Sequence, residues 1–269
     1  MPFARVRPGR DARVKLLAID SATERLALAA IDDGRAPGAA LARAACRIEP
    51  LDLDGGAAAS AQALPMLMAL LQRQGWTFAD LDAIAFGRGP GGFTGLRTAC
   101  AVAQGLAWGQ GVPVVPVDSL AIVAEDAARH AGLLAGAVVW VAMDARMDEI
   151  YAGCYRDAGD AGWQAVVEPS LTTPQALHAL WADAPPAFVA GSALAAFGDR
   201  LQTGDAQRAP AEHARAAALG WLAAAGLARG DGVPADQALP VYLRDKVAQT
   251  TAEREAAKAL RDAAAGVRP

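Results

Sequence analysis

The sequence has few of the residues that build metal centres and disulfide frameworks. Its 269 residues include three cysteines and three histidines, and no two of these lie at the spacing of a C-x-x-C or H-x-x-x-H ligand pair. Three widely separated cysteines favour small buried thiols in a reducing compartment over disulfides. No G-x-S-x-G nucleophile elbow is present either. A metal site or a nucleophile elbow built by this chain is therefore not expected.

A basic excess is also missing. Residues 1–13 carry four arginines and one aspartate, a local charge of +3, so the rest of the chain carries −7 within the net charge of −4. A protein that holds RNA or DNA on its own usually presents a basic face. We therefore do not expect a stand-alone nucleic-acid binder.

Membrane-spanning and secretory segments are not indicated. The two longest uncharged stretches, 55–72 and 98–117, are interrupted by Pro, Gly or Gln, which favours buried core over a membrane span. The N-terminal arginines are not followed by the apolar segment of a secretory signal. The expected location is the cytoplasm, with no membrane contact.

The order of apolar runs predicts the fold class. Three strands between residues 15 and 48 predict a β-meander, with the third strand at 41–48, followed by helices at 58–72 and 94–108. Strands and helices then alternate through the second half, up to a long Ala-rich helix at 213–229. This order predicts an α/β protein with mixed sheets flanked by helices, arranged in two similar lobes.

The same pattern suggests domain boundaries. Residues 1–13 show no periodicity and are expected to be an N-terminal extension, either disordered or upstream of a true start at Val14. The remaining segments are an N-terminal lobe at 14–118, a second lobe at 119–238, a strand returning to the first lobe at 239–249, and an Ala-rich tail helix at 250–269.

A glycine-rich loop is the strongest local feature. Five glycines occur in the nine residues 87–95, after a predicted strand and at the start of a predicted helix. Backbone N–H groups at a helix N-terminus attract anions, and Arg88 and Arg97 add positive charge beside the loop. No Gly-Lys-Ser/Thr ends the loop, so it is not a P-loop. A tight structural turn and a phosphate cradle both remain open.

An acidic turn at Asp20 is the second feature. An acidic residue at the end of a first strand, followed by a small-residue hairpin, occurs in sugar-kinase and actin-like nucleotide clefts. A glycine there normally lets the backbone approach a phosphate. Ala22 stands at that position in this chain, so close approach of a phosphate is in doubt.

The helices predicted at 58–72 and 94–108 are apolar nearly all round. Such helices are buried on more than one side. One side covers the sheet, and the other either lies in the core of a large lobe or meets another subunit. The sequence leaves both interpretations open.

Five ordered blocks of the sequence resemble the TsaB (YeaZ) family. The most specific is the glycine loop with its Phe-Thr-Gly-Leu-Arg continuation, and the resemblance covers about Val14 to Val247. The blocks are LAIDSATE at 17–24, GRGPGGFTGLR at 87–97, AQGLA at 103–107, MDARMDEIY at 143–151 and PVYLR at 240–244.

The resemblance implies the two-lobed actin-like ATPase (ASKHA) fold. It also implies a role in forming N6-threonylcarbamoyladenosine at the adenosine 3′ of the anticodon in tRNAs that read codons starting with A. In that pathway the metal-dependent TsaD transfers the threonylcarbamoyl group, TsaB pairs with TsaD, and TsaE, a P-loop ATPase, joins them. The implied role is a non-catalytic partner with no cofactor of its own, ATP or ADP binding at the complex interface, and tRNA contacted only through the complex.

The resemblance further assigns residues of this chain to two sites. A degenerate nucleotide cleft is expected to comprise Asp20, Ser21, Thr23, Gly89, Gly91 and Thr94. The two apolar helices are expected to pair with TsaD, or with a second copy when the chain is alone. The residues expected in that interface are Ala61, Leu64, Met68, Leu71, Phe93, Leu96, Arg97, Ala101 and Gln104.

Two other classes of function stay open. The first is an enzyme of the same fold, such as a small-molecule kinase or an M22-like (glycoprotease-type) peptidase. The missing metal ligands and Ala22 count against it, and ATP turnover by the pure chain would support it. The second is a homodimeric regulator acting apart from tRNA modification, whose deletion would leave the modified nucleoside unchanged.

Overall fold

Each half of the chain forms a five-stranded sheet, and the two sheets share one topology. The computed structural model describes residues 13–35 and 40–244. The strands of the first sheet are β1 Lys15–Asp20, β2 Arg25–Asp32, β3 Arg47–Asp54, β4 Ala83–Gly89 and β5 Val114–Asp118. Those of the second are β6 Val138–Asp144, β7 Ile150–Asp157, β8 Trp163–Thr172, β9 Phe188–Ala190 and β10 Gln207–Ala209.

The strand orders are β3-β2-β1-β4-β5 and β10-β9-β6-β7-β8. In each sheet the first three strands pair antiparallel, and two further strands are added in parallel on the other side of the first one. The repeated arrangement confirms the predicted α/β class, with mixed sheets and two similar lobes.

Six α-helices in the described residues complete a stack of five layers. They are α1 Ala59–Gln74, α2 Phe93–Gln110, α3 Ser119–His130, α4 Pro174–Asp183, α5 Ala193–Phe197 and α6 Arg215–Arg229. Helices α1 and α2 cover the outer face of the first sheet, and α4 and α5 cover the outer face of the second. Helices α3 and α6 lie between the two sheets. No helix of the described chain has both the length and the apolar character needed to cross a membrane.

Strand β1 has an almost continuous apolar sequence because helices cover both of its faces. Neighbouring side chains of a strand point to opposite faces of the sheet. Leu17 and Ile19 pack beneath α1 and α2, whereas Leu16 and Ala18 face α3 and α6. A strand with helices on both faces needs apolar residues at successive positions, as this one has.

Two details differ from the sequence-based expectations. Strand β3 lies at Arg47–Asp54 and not at 41–48, because its eight residues pair one to one with the eight of β2; the 41–46 segment has no β-branched residue to favour a strand. Residues 239–244 form no strand.

The proposed extension at 1–12 and the proposed tail helix at 250–269 lie outside the described residues. Helix α6 falls within the segment 119–238 that was predicted as the second lobe. It nevertheless packs against β1, β2, β3 and β5 of the first sheet.

Candidate functional site

The glycine-rich loop packs directly against the turn at residues 20–22. A Cβ atom added at Gly87 would lie 1.7 Å from a carboxylate oxygen of Asp20, and one added at Gly95 would lie 1.7 Å from the Ser21 carbonyl oxygen. The Ser21 hydroxyl donates to the Gly95 carbonyl at 2.8 Å. These glycines are therefore required by close packing between two segments of the protein.

The same contact continues at Gly91 and Gly92. A Cβ at Gly91 would lie 2.5 Å from the Ala22 carbonyl oxygen, and the Gly92 amide donates to that oxygen at 2.7 Å. The loop and the turn thus bond to each other along their length. The geometry favours the structural-turn interpretation of the glycine loop over a phosphate cradle.

Asp20 is buried and neutralised by a residue from the second half of the chain. The Nε of Arg215, at the start of α6, lies 2.6 Å from Asp20 Oδ2, and its Nη1 lies 3.0 Å from Glu212. Burial alone would lower the pKa of Arg215, but the carboxylates of Asp20 and Glu212 raise it above its ordinary value. The Ser119 hydroxyl contacts Asp20 at 3.3 Å and accepts from the Gly89 amide at 3.0 Å. Asp20 therefore has an internal cation and an internal donor.

An open cleft of about 1150 Å³ lies between the lobes, above this cluster. Four of the six residues predicted for a nucleotide cleft line it: Ser21, Thr23, Gly91 and Thr94. Asp20 and Gly89 do not line it, which corrects that part of the prediction: both are buried and bonded to Ser119. The charged residues that line the cleft are of both signs: Glu24, Arg25, Asp144, Arg146, Glu212, Arg215 and Arg244.

Arg88 does not add charge to this cleft. It lines a separate cavity of about 430 Å³, together with Asp118 and Tyr155. The Tyr155 hydroxyl donates to Asp118 at 2.8 Å. Burial raises the pKa of the Asp118 carboxyl, an effect that this hydrogen bond opposes. Within 13–35 and 40–244, no three His, Cys, Asp or Glu side chains are grouped so as to hold a metal ion.

Arg215 is a residue that sequence reasoning missed. It opens a helix with no other charged residue before Arg229. A cation in the first turn opposes the helix dipole, and an arginine within such an apolar helix needs a buried partner. Those two signals could have identified it.

The second candidate site is the outward face of α1 and α2. Three large apolar side chains stand in solvent there: Leu64 is 44% exposed, Met68 45% and Trp108 74%. Ala61, Arg97 and Ala101, also predicted for the interface, are exposed beside them. Trp108 was not predicted, although it continues the helical spacing of Arg97 and Ala101.

Leu71 and Leu96 are a correction to the predicted interface. Both are buried, Leu71 in the core between the first sheet and its outer helices, and Leu96 at the start of α2 beside Gly89. At 3.6 residues per turn, Leu71 shares the inward side of α1 with Leu67, and Leu96 shares that of α2 with Ala103. Their side chains therefore stabilise the lobe and do not reach a partner.

Three of the predicted interface residues, the exposed Arg97 among them, contact the segment that follows residue 237. Phe93 packs against the Tyr242 ring with 5.2 Å between centroids, and Arg97 Nε donates to the Tyr242 hydroxyl at 3.3 Å. Gln104 Nε2 donates to the Ala238 carbonyl at 3.0 Å. These side chains lie at the edge of the apolar face and attach this segment to it.

Comparisons with known proteins find the TsaD family model and individual TsaB proteins. The family model of TsaD, tRNA N6-adenosine threonylcarbamoyltransferase, matches residues 57–202. The tRNA threonylcarbamoyladenosine biosynthesis protein TsaB of Escherichia coli (strain K12) is 31% identical over 238 residues, covering 87% of this chain and 96% of that protein. TsaB of Haemophilus influenzae (strain ATCC 51907 / DSM 11121 / KW20 / Rd) is 37% identical over 142 residues, covering 50% of this chain and 58% of that protein.

Solved structures give the same result. The structure of YeaZ from Pseudomonas aeruginosa is 35% identical with a TM-score of 0.70, covering 86% of this chain and 100% of that one. A second Pseudomonas aeruginosa structure, of an uncharacterized protein with similarity to peptidase YeaZ, is 36% identical with a TM-score of 0.71 and the same coverage. With the duplicated lobes and the ordered sequence blocks, these matches establish that the chain belongs to the TsaB (YeaZ) family.

Proposed function

We propose that this chain is the non-catalytic partner of TsaD in the threonylcarbamoyl transfer that forms N6-threonylcarbamoyladenosine in tRNA. The reaction would modify the adenosine 3′ of the anticodon in tRNAs that read codons starting with A. The observation that carries the proposal is the exposed apolar face of α1 and α2, marked by Leu64, Met68 and Trp108. Exposed apolar patches of this kind are typical of protein interaction sites.

The choice of TsaD as the partner is supported by the family match. The TsaD model matches 57–202 of this chain, a range that contains both α1 and α2. Two chains of one fold can bring equivalent helices together about an approximate twofold axis, as identical subunits do about an exact one. The same face therefore suits a homodimer when the chain is alone and a heterodimer when TsaD is present.

The absence of catalysis by this chain is supported by the first lobe. The carboxylate of Asp20 is paired with Arg215, and the loop and turn that could hold a phosphate are bonded to each other. We propose that the chain has no cofactor of its own and that ATP or ADP binds at the interface of the complex. TsaE would join the pair, and tRNA would be contacted through the complex.

Reconstitution tests this function. TsaD, TsaE, tRNA, ATP and a source of threonylcarbamoyl-adenylate are incubated with and without this chain, and the modified nucleoside is measured by liquid chromatography and mass spectrometry. We expect product only when the chain is present, and no ATP turnover by the pure chain. Equal product without the chain, or ATP turnover by the chain alone, would contradict the proposal.

A further inference from the structure

The segment Ala238–Tyr242, here named the C-terminal ridge, runs antiparallel to α2. At one end the Ala238 carbonyl accepts from Cys100 Sγ at 3.1 Å and from Gln104 Nε2 at 3.0 Å. At the other end Tyr242 packs on Phe93, eleven residues nearer the start of the helix than Gln104. The ridge is therefore laid along about three turns of α2.

The ridge and the two helices lie side by side over the first sheet. Helix α1 packs on β2, and α2 packs on β1 and β4. On the far side of α2, the Val241 amide donates to the Arg88 carbonyl of β4 at 2.7 Å, and Val233 bridges to Val114 of β5. Since the sheet order is β3-β2-β1-β4-β5, α2 is the middle one of three elements that lie side by side.

Large apolar side chains point into solvent from all three elements. Leu239 is 64% exposed, and Tyr242, which also lines the cleft between the lobes, is 42% exposed. A partner that covers both helices borders the ridge, because α2 lies between α1 and the ridge. We propose that the C-terminal ridge is the third element of the docking surface, and that Leu239 and Tyr242 contact TsaD. This inference rests on the proposed function.

The ridge is already held in one conformation in the free chain. Just beyond it, Arg244 Nη2 donates to the Ala145 carbonyl at 2.9 Å and lies 2.7 Å from Glu149 Oε2. The turn that it holds places Arg146, Met147 and Asp148 at φ values of 63°, 57° and 59°, which non-glycine residues adopt seldom and at a cost. A segment fixed in this way loses little conformational entropy on binding, which favours its use as a contact surface.

The test is the dissociation constant for purified TsaD, measured by isothermal titration calorimetry on the full chain and two variants. Leu239→Ser removes an exposed apolar side chain, so folding is expected to be unaffected. Tyr242→Ala removes the second contact. Each variant is expected to raise the dissociation constant roughly tenfold. The matched control is Leu180→Ser on α4 of the second lobe, which is 54% exposed and is expected to leave the constant unchanged.

The outcomes separate this inference from the function on which it rests. Leu239→Ser and Tyr242→Ala could bind TsaD as the wild type does, while Leu64→Glu with Met68→Glu abolishes binding. In that case the ridge does not contact TsaD, and the proposed function stands. If Leu239→Ser weakens only self-association, the ridge contacts a second copy and the inference is overturned. If the wild-type chain does not bind TsaD, both are overturned.

Discussion

At the scale of single residues, Arg215 determines what the first lobe can hold. A buried carboxylate at the end of β1 needs a counter-charge, and this chain supplies one from α6 through the 2.6 Å contact with Asp20. An external cation is not needed at Asp20 as long as this pair is intact. The acidic group at the end of β1 is thus neutralised by the protein itself.

Replacing Arg215 with methionine tests the importance of this pair. The change leaves Asp20 buried without its cation, so we expect a loss of about 3–5 kcal/mol in the free energy of unfolding. The additional change Asp20→Asn is expected to restore part of it. The matched control is Arg200→Met, which removes an exposed bridge to Asp148 and should cost less than about 1 kcal/mol. Urea unfolding measures all three variants, and equal losses at Arg215 and Arg200 would refute the account.

Glu125 makes a second buried charge cluster, between α3 and its neighbours. Its carboxylate is buried, which alone would raise its pKa, but hydrogen bonds from Arg43 and from the Trp163 indole hold the pKa below its ordinary value. Arg129 adds a contact at 2.9 Å. A lowered pKa in the folded state contributes stability above the unfolded pKa, and this contribution is lost as the pH falls through the folded pKa.

We therefore predict a pH-dependent difference between the wild type and Glu125→Gln. At pH 7 the variant should have the lower free energy of unfolding, because it lacks the ion pairs with Arg43 and Arg129. The difference between the two free energies of unfolding should narrow as the pH falls below about 4.3, the ordinary glutamate pKa. Urea unfolding at intervals from pH 7 to pH 3 measures it. Parallel curves would show that Glu125 does not titrate in this way.

At the scale of elements, the glycine loop and the turn at 20–22 act as one interlocked unit. Gly95→Ala places a Cβ atom on the Ser21 carbonyl oxygen, so the start of α2 must move away from β1. We expect a loss of more than about 3 kcal/mol in the free energy of unfolding, in the range of severe packing defects.

The control for Gly95→Ala is available in the same helix. No atom lies within 4 Å of a Cβ added at Gly105, so Gly105→Ala should stabilise α2 by about 1 kcal/mol through helix propensity. Thermal and urea unfolding of both variants gives the comparison. If Gly95→Ala were as stable as the wild type, the close packing of loop and turn would be wrong.

Elements with a strong local pattern were predictable. The apolar run of β1 and the α2 helix follow from hydrophobic periodicity, and the structure confirms them. Strand β3 was misplaced because its position is set by pairing with β2 and not by its own composition.

The sites were predictable only in part. The exposure of Leu64 and Met68 was predicted through the family resemblance, because the apolar character of α1 alone fits both a core helix and an interface helix. The pairing of Asp20 with Arg215 joins residues far apart in the chain, and the contact of Tyr242 with Arg97 does the same. Such long-range contacts have no local sequence signal, so the Asp20–Arg215 pair and the C-terminal ridge required the structure.

At the scale of the whole molecule, the two lobes share a sheet topology but differ in their outer layers. The first lobe is covered by helices of 16 and 18 residues, whereas the second is covered by helices of 10 and 5 residues. Leu64, Met68 and Trp108 are exposed on the longer pair. The duplicated fold thus has one extended helical face suited to pairing, and it lies on the first lobe.

The most direct test of the account is the mass of the complex formed with TsaD of the same organism, measured by size-exclusion chromatography with light scattering. The wild-type chain is expected to give a new peak with the mass of a one-to-one complex. Leu64→Glu with Met68→Glu should keep the wild-type melting temperature but give no such peak, because two unpaired charges would be buried at the interface. Leu180→Glu should behave as the wild type. A double variant that still co-elutes with TsaD, or a wild-type chain that forms no complex even with TsaE and ATP, would contradict the account.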